Sequence, residues 1–514
     1  MRLADLVATS RSVAASGGRL EKIKQLAALV SRVRPDEIDV AIPFLSGSTR
    51  QGRIGVGGSA LAELRSMPGA DEPTLELMEI DAAFGRVAAA SGAGSASARV
   101  EVLRGVFRRA TADERDFLRR LIYGDLRQGA LEGVLIEAVA LASNVPAAQI
   151  RRAVMLSGTL APVARVALLE GEPGLSRIVL QPFRPVQPML ADSAADVGDA
   201  LNTLGLASLE YKLDGARIQA HKAGDDVKVY SRNLRDVTVA VPEVVEAVRG
   251  MPARDLVLDG EALALRPDGR PQPFQITMRR FGRRLDVDPL RVELPITPFF
   301  FDVLYVDGSP IIDEPLARRA EVLADRVPSA FRVPRIVAAS AEEAVAFTER
   351  AFAAGHEGVM AKSVHASYAA GRRGAAWLKV KRAHTLDLVV LAVEWGSGRR
   401  RGTLSNLHLG ARDDERGGFV MLGKTFKGLT DEMLATQTRL LLALETGREG
   451  HVVHVRPELV VEVAFNDIQD SPQYPGGLAL RFARVKRYRP DKTAAEADTF
   501  AAVRALHRRS REIE

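Results

Sequence analysis

The chain contains no cysteine in its 514 residues. That absence excludes disulfides, thiolate-bound zinc and cysteine nucleophiles at once. Nor does any apolar run reach the roughly 18 residues that a membrane-spanning helix requires, and the opening Met1-Arg2-Leu3-Ala4-Asp5 lacks the apolar stretch of a signal peptide. The expectation is a cytoplasmic protein with no membrane partner. Lysine is sparse beside arginine, so each lysine stands out, and several fall in or next to the motifs below. What is present, 46% hydrophobic and 26% charged residues, describes a globular protein. The chain is too long for one core, and roughly two to four domains are expected. A net charge of +6 permits a polyanionic partner without requiring one.

From residue 1 to about 180, apolar residues recur at three- and four-residue spacing over 21–32, 61–65, 99–109, 112–123 and 131–141, with glycine and proline between. An all-α domain over 1–180 is predicted. Gly55-Val56-Gly57-Gly58 and Ser91-Gly92-Ala93-Gly94-Ser95 could each cradle a phosphate at a helix start. The first does not complete GxGxxG, which argues against a dinucleotide fold. At Gly124-Asp125-Leu126-Arg127-Gln128-Gly129 one helix stops and another begins, beside Arg119, Arg120 and Arg127. Such ends suit a nucleic-acid backbone, or form a solvated basic face. Residues 181–191, QPFRPVQPMLA, read as a proline-punctuated linker. Strand patterns at 227–231, 256–265, 296–306 and 358–361 then alternate with helical ones at 242–249, 316–324 and 341–354, an α+β domain over 187–383. Short strands at 387–394, 406–409, 418–422 and 459–465, with a helix near 430–444, suggest a small β-barrel over 384–514.

The most informative stretch is Glu210-Tyr211-Lys212-Leu213-Asp214-Gly215-Ala216-Arg217. Alternation before it and after it reads as two strands, and Asp-Gly as the tight turn of a hairpin with Lys212 at its mouth. Taken alone, this is also what an ordinary hairpin with a surface lysine looks like. Downstream come Ser231-Arg232-Asn233, Leu258-Asp259-Gly260-Glu261, Phe300-Phe301-Asp302, Glu357-Gly358-Val359-Met360 and Trp377-Leu378-Lys379-Val380-Lys381. Each has a plain structural reading: a solvated carboxylate, a core phenylalanine, the wet face of an edge strand. Together they supply a nucleophilic amine, cations for phosphates, two carboxylates for a hard divalent ion and an aromatic surface for a base. That is an inventory for nucleotidyl transfer.

In these motifs, their order and their approximate spacing, the chain resembles the ATP-dependent DNA ligases, within the covalent nucleotidyltransferases that include RNA ligases and capping enzymes. The resemblance spans nearly the whole chain: GDLRQGA is similar to the ligases' helical DNA-binding domain, and LRFARVKRYRPDK to their carboxy-terminal motif, with Ala483 where proline is usual. It implies a multidomain protein with an all-α DNA-binding domain, an α+β adenylation domain and an OB-fold β-barrel. It also implies a monomer acting on nicked duplex DNA in replication, repair or recombination.

By the resemblance, Lys212 attacks the α-phosphate of ATP to give a lysyl-AMP, Glu210 reads the adenine amino group and Phe301 stacks on the ring. Arg217, Arg232 and Arg373 hold sugar and phosphate, Glu261 and Glu357 position the ribose or Mg²⁺ (or Mn²⁺), and Lys379 and Lys381 neutralise the reacting phosphate. Arg484, Lys486, Asp491 and Lys492 reach the pyrophosphate once the barrel closes. AMP then passes to the 5′-phosphate of a nick, and the 3′-hydroxyl expels it. The chemistry is coherent, since a free lysine with pKa near about 10.4 is a poor nucleophile and nearby cations favour the neutral amine. An NAD-dependent ligase resembles a chain with a four-cysteine zinc module, excluded here. An RNA ligase or capping enzyme leaves the helical region unexplained, and a silent DNA-binding clamp has no need of Lys212, Glu261, Glu357 and Lys379 together.

Overall fold

The helical spacing of the first third folds as Leu3–Ala15, Arg19–Val30, Ile38–Ser46, Leu77–Ala89, Ser95–Arg109, Ala112–Tyr123, Glu132–Ser143, Ala147–Ser157 and Leu160–Leu175 in the computed structural model. It describes residues 1–514 apart from 53, 59–60, 62–63, 65–67, 93, 127–131, 282–286, 339, 371–372, 382–383, 466 and 514, and the backbone alone at 373–375, 399 and 509–513. Ala112–Tyr123 shows how local sequence sets an element. Thr111 Oγ1 accepts the Glu114 N–H while Glu114 accepts the Thr111 N–H, a reciprocal cap, and Gly124 ends the helix at φ 72°. The helices share one apolar core, with Phe44, Phe84 and Phe107 at its centre, and among the described residues no strand precedes Leu190. The expected helix at 61–65, the glycine loop at residue 93, and Arg127 with Gly129 lie wholly or partly outside the described residues.

Two five-stranded sheets follow. The first has the order β1 (Leu190–Ser193), β10 (Arg373–Lys381), β9 (Gly358–Ser363), β2 (Ala207–Lys212), β8 (Arg335–Ala338); the second β4 (Asp226–Ser231), β3 (Ala216–Ala223), β5 (Asp255–Ala264), β6 (Ile296–Val306), β7 (Ser309–Pro310). Alternation divides each sheet. Leu209, Val359, Ala361, Leu378 and Val380 pack under helices Val197–Leu204 and Ala341–Ala353, while Ile218, Ala220, Leu256 and Leu258 pack against Val244 and Val248 of helix Pro242–Arg249. The opposite faces carry the polar residues of the motifs.

The Lys212 stretch departs from the expected hairpin. β2 pairs with β8 and β9, whereas β3 pairs with β4 and β5, so Leu213-Asp214-Gly215 carries the chain from one sheet to the other. Glycine is required by close approach: a Cβ on Gly215 would stand 2.5 Å from the Ala262 carbonyl oxygen. The linker is likewise tied down. Phe183 N–H donates to His221 Nδ1 at 2.8 Å and Val186 N–H to Gln219 Oε1 at 2.8 Å, and its end enters the first sheet as edge strand β1. Met155, Leu156, Leu180 and Val186 join Val257, Leu304, Tyr368 and Trp377 in a separate core that welds the last helices to the central sheets.

The remaining chain builds a third sheet: β11 (His384–Trp395), β12 (Leu404–Arg412), β13 (Phe419–Thr425), β14 (Glu445–Glu449), β15 (Val452–Val455), β16 (Val460–Phe465) and β19 (Arg484–Tyr488). The first half of β11 pairs with β16 and the second half with β15, with β12 on its other edge, so the strand bends the sheet around its core. Strands β17 (Asp467–Asp470) and β18 (Leu478–Arg481) form a side hairpin under a terminal helix, Phe500–Ile513, that the periodicity of the sequence did not predict.

Candidate active site

Strand register assembles the site. Across β2, β9 and β10, Lys212 stands opposite Gly358 and Gly358 opposite Lys381; Glu210 opposite Met360 and Met360 opposite Lys379; Ser208 opposite Lys362 and Lys362 opposite Trp377. Directly opposed residues share a face, so three successive rows point the same way. The second sheet adds its own row, Arg217 opposite Glu261 and Glu261 opposite Phe299. The two polar faces enclose a cavity of about 620 Å³ lined by Glu210, Lys212, Arg217, Arg232, Glu261, Phe301 and Lys379, seven of the residues singled out in the sequence. Gly358 permits the tight row at Lys212, because a Cβ there would lie 2.1 Å from the Val380 carbonyl oxygen.

Lys212 Nζ donates to Glu357 Oε2 at short range, and Lys381 Nζ donates to Glu357 Oε1 at 2.8 Å. One carboxylate therefore bridges two ammonium groups. Burial pushes the Glu357 carboxyl upward, and Lys212 and Lys381 outweigh it, holding the group below its ordinary value. Glu261 behaves in the opposite way: burial pushes it up to about 8, against partial offsets from Lys212, Arg217 and the Gly215 N–H donated at 3.2 Å. Asp214 is raised by burial and by the charge of Glu357. Glu210 is sunk among cations, with Arg335 and Lys362 each 2.5 Å from a carboxylate oxygen. Lys362 sits over the rings of Phe301 and Trp377 at 4.2 and 4.1 Å, a buried cation held by both acid and aromatic faces.

The other expected residues are placed differently. Glu357 and Lys381 line a neighbouring cleft of about 590 Å³, whose far wall comes from Asp467, Asp470, Arg481, Phe482 and His507 of the carboxy-terminal region. Arg373 lies on β10, with its side chain outside the described residues. Arg484, Lys486 and Lys492 line neither cavity. Lys486 is exposed on β19, and Lys492 Nζ donates to Asp387 Oδ2 at 2.6 Å, beside the two bonds from Arg489 to the same carboxylate. Asp491 is held well below its ordinary value, at about 2, first by its bond to Arg489. At Ala483, where the resemblance expects proline, the Thr425 hydroxyl donates to the carbonyl at 2.5 Å. Sequence reasoning missed Lys362 and Arg335, and gave no role to Trp377 and Met360 although both stand in its motifs. Trp377 and Lys362 were legible in principle, since Trp377 alternates with Lys379 and Lys381, and Lys362 with Met360.

Comparison with known proteins agrees over the whole length. Family models for the ATP dependent DNA ligase domain, the ATP dependent DNA ligase C terminal region and the DNA ligase N terminus match residues 188–381, 400–492 and 59–140. A probable DNA ligase of Anaeromyxobacter sp. (strain Fw109-5) is 62% identical over 511 residues, covering 99% of this chain and 98% of that protein. Those of Sorangium cellulosum and Mycolicibacterium gilvum are 58% and 54% identical, covering 99% of this chain and 95% and 100% of theirs. A solved structure called Pmar-Lig_PreS3 shares the fold, with a TM-score of 0.58 at 18% identity over 94% of this chain and 99% of its own. With its motifs gathered on two facing sheets and relatives this similar end to end, the chain belongs to the ATP-dependent DNA ligases.

Proposed function

We propose that this ligase seals nicks in duplex DNA through Lys212. The observation that carries the reading is the row of Lys212, Gly358 and Lys381 with Glu357 bridging the two lysines. Glu357 orients the amine, which loses its proton to solvent, and the Lys212 nitrogen bonds to the α-phosphorus of ATP as the bond to pyrophosphate breaks. Glu210 accepts from the adenine amino group, Phe301 stacks on the ring, and Arg217, Arg232 and Arg373 hold sugar and phosphate. Lys379 and Lys381 offset charge on the reacting phosphate. A 5′-phosphate oxygen of the nick next displaces Lys212 from AMP, and the 3′-hydroxyl displaces AMP.

Mg²⁺, or Mn²⁺ in its place, fits the donors present. Glu357 is bonded to Lys212, and Glu261 lines the cavity with Lys212 as a buried carboxyl that burial pushes up to about 8. Among the described residues no group of three His, Asp or Glu forms a cage, as suits an ion held by one or two carboxylates with substrate phosphates and water. Such an ion supplies charge neutralisation at the phosphates.

The reading divides the chain into a helical DNA-binding domain (1–180), an adenylation domain (187–383) and an OB-fold barrel (384–514), working as a cytoplasmic monomer. Separate apolar cores in the three regions support that division. Closure of the barrel brings Arg484, Lys486 and Lys492 to the pyrophosphate. Incubation with α-labelled ATP, GTP or adenylate-labelled NAD tests the reading: label should enter the protein from ATP alone and sit on Lys212. Label from GTP would favour a capping-type enzyme, and no label despite tight nick binding a silent clamp.

A further inference from the structure

Three separate segments meet at the hydroxyl of Tyr368, a residue outside every motif above. It lies between β9 and β10 and is only 1% exposed. The hydroxyl donates to Asp259 Oδ2 at 2.7 Å, accepts the Met189 N–H at 2.9 Å, and receives Arg217 Nη2 at 3.3 Å. One proton and two lone pairs are thereby all used. Asp259 grips Arg217 side-on, from Nε to Oδ1 at 3.1 Å and from Nη2 to Oδ2 at 2.7 Å, while the Met189 carbonyl accepts Nη1 at 2.7 Å. Of the five guanidinium N–H groups, one on Nη1 is left over among the described residues. The guanidinium carbon stands 5.5 and 5.8 Å from the ring centroids of Phe301 and Trp377, both on the wall of the Lys212 cavity. The Tyr368 ring meets Trp377 edge-on, centroids 5.8 Å apart.

A guanidinium on a flexible stem is useful to a ligand only in proportion to how well it is held, because each freely rotating bond must be frozen on binding. Asp259 alone could hold Arg217 in more than one rotation of its carboxylate. The hydroxyl removes that freedom by fixing Oδ2, and the Met189 peptide fixes the other edge. We propose that Tyr368 is a positioning residue for nucleotide binding, whose hydroxyl orients Asp259 and so locks the Arg217 guanidinium on the cavity wall. The inference rests on the reading of Arg217 as a nucleotide-binding residue.

The test is self-adenylation of the full chain in single turnover across a range of ATP concentrations, for the wild type, Tyr368→Phe, Arg217→Ala and the double variant. Tyr368→Phe should raise the half-saturating ATP concentration on the order of tenfold, the factor carried by one hydrogen bond to a charged group, with the limiting rate within about twofold. Arg217→Ala should raise it at least as much, and the double variant no further, since both act on one interaction. A merely structural tyrosine would lower the melting temperature and the limiting rate while leaving half-saturation unmoved, which overturns the proposal. If Arg217→Ala leaves ATP binding unchanged, the reading of Arg217 fails. If Arg217→Ala weakens it and Tyr368→Phe does not, the positioning role alone fails. Should the phenylalanine variant not fold, Asp259→Asn is measured in its place with the same expected shift and the same overturning result.

Discussion

The cations of the central sheets and those of the carboxy-terminal motif were equally visible in the sequence, yet the fold treats them differently. Lys212, Lys379 and Lys381 converge because β2, β9 and β10 are hydrogen-bonded neighbours, whose register leaves no choice about which side chains share a row. Arg484, Lys486 and Lys492 belong to a region with its own core, and their distance from Lys212 depends on how two bodies are arranged. Lys492 is meanwhile engaged by Asp387. Residues within one sheet are preorganised; on the proposed function, residues across two cores contribute only once the two regions close on each other.

The sharpest way to break this contrast is at its fixed end. Lys212→Ala should abolish covalent labelling by ATP, a loss of about four orders of magnitude or more, and Lys212→Arg should fail too, because guanidinium stays protonated. Sealing by either variant with ATP would sink the assignment of the nucleophile. The carboxy-terminal region comes next: a chain ending at about residue 383 keeps the cores of both central sheets intact, and should lose about a hundredfold or more in self-adenylation while still sealing a pre-adenylated nick weakly. Wild-type labelling by that shortened chain would remove the carboxy-terminal region from the first step.

A smaller effect is expected from the helical region. Residues 187–514 should still charge Lys212 but bind nicked duplex about tenfold or more weakly, with the log-log dependence on salt flattened by about one unit for each phosphate the shortened chain no longer neutralises. The cut also strips Met155, Leu156 and Leu180 from the core they share with Tyr368 and Trp377, so a lower melting temperature should accompany it. Equal affinity and equal slope for both chains would point to a protein partner instead.

The smallest effect distinguishes the carboxy-terminal region by pH. Glu394 is pushed up by burial but pulled down further by Lys424, Asn406 and His408, to about 2 from an ordinary 4.5. A folded value below the unfolded one means a stabilising contribution present above about pH 4.5 and lost as pH falls towards 2. Glu394→Gln should therefore leave a shallower acid-side loss of stability of the carboxy-terminal region in melts between pH 5 and 2, measured as a difference of about a few degrees. Parallel curves for the two proteins would deny Glu394 that role.

Much of the molecule was legible without coordinates, for identifiable reasons. The helix at Ala112–Tyr123 carries its own cap and stop, Ile296–Val306 its own alternation, and both appear where the pattern placed them. The Asp214-Gly215 pair shows where local reading runs out. Asp-Gly favours a tight turn, but whether the strands on either side pair with each other depends on competing partners far away in sequence, and β9 and β5 win. The linker was read as a spacer because prolines cannot donate to a ladder; its bonds come from His221 and Gln219, side chains whose aim only the folded sheet sets.

The inventory was written in the order of residue types: a lysine before Asp-Gly, two distant carboxylates and alternating lysines resemble the motifs of a family whose chemistry they imply. Which of these groups touch was left to the folded sheets. They set Glu357 between Lys212 and Lys381, buried Lys362 against Glu210 and two rings, and closed a tyrosine, an aspartate and a linker peptide around Arg217. Those bonds join residues up to 179 positions apart, and no periodicity in a chain encodes a distance between strands that meet only when the sheets form.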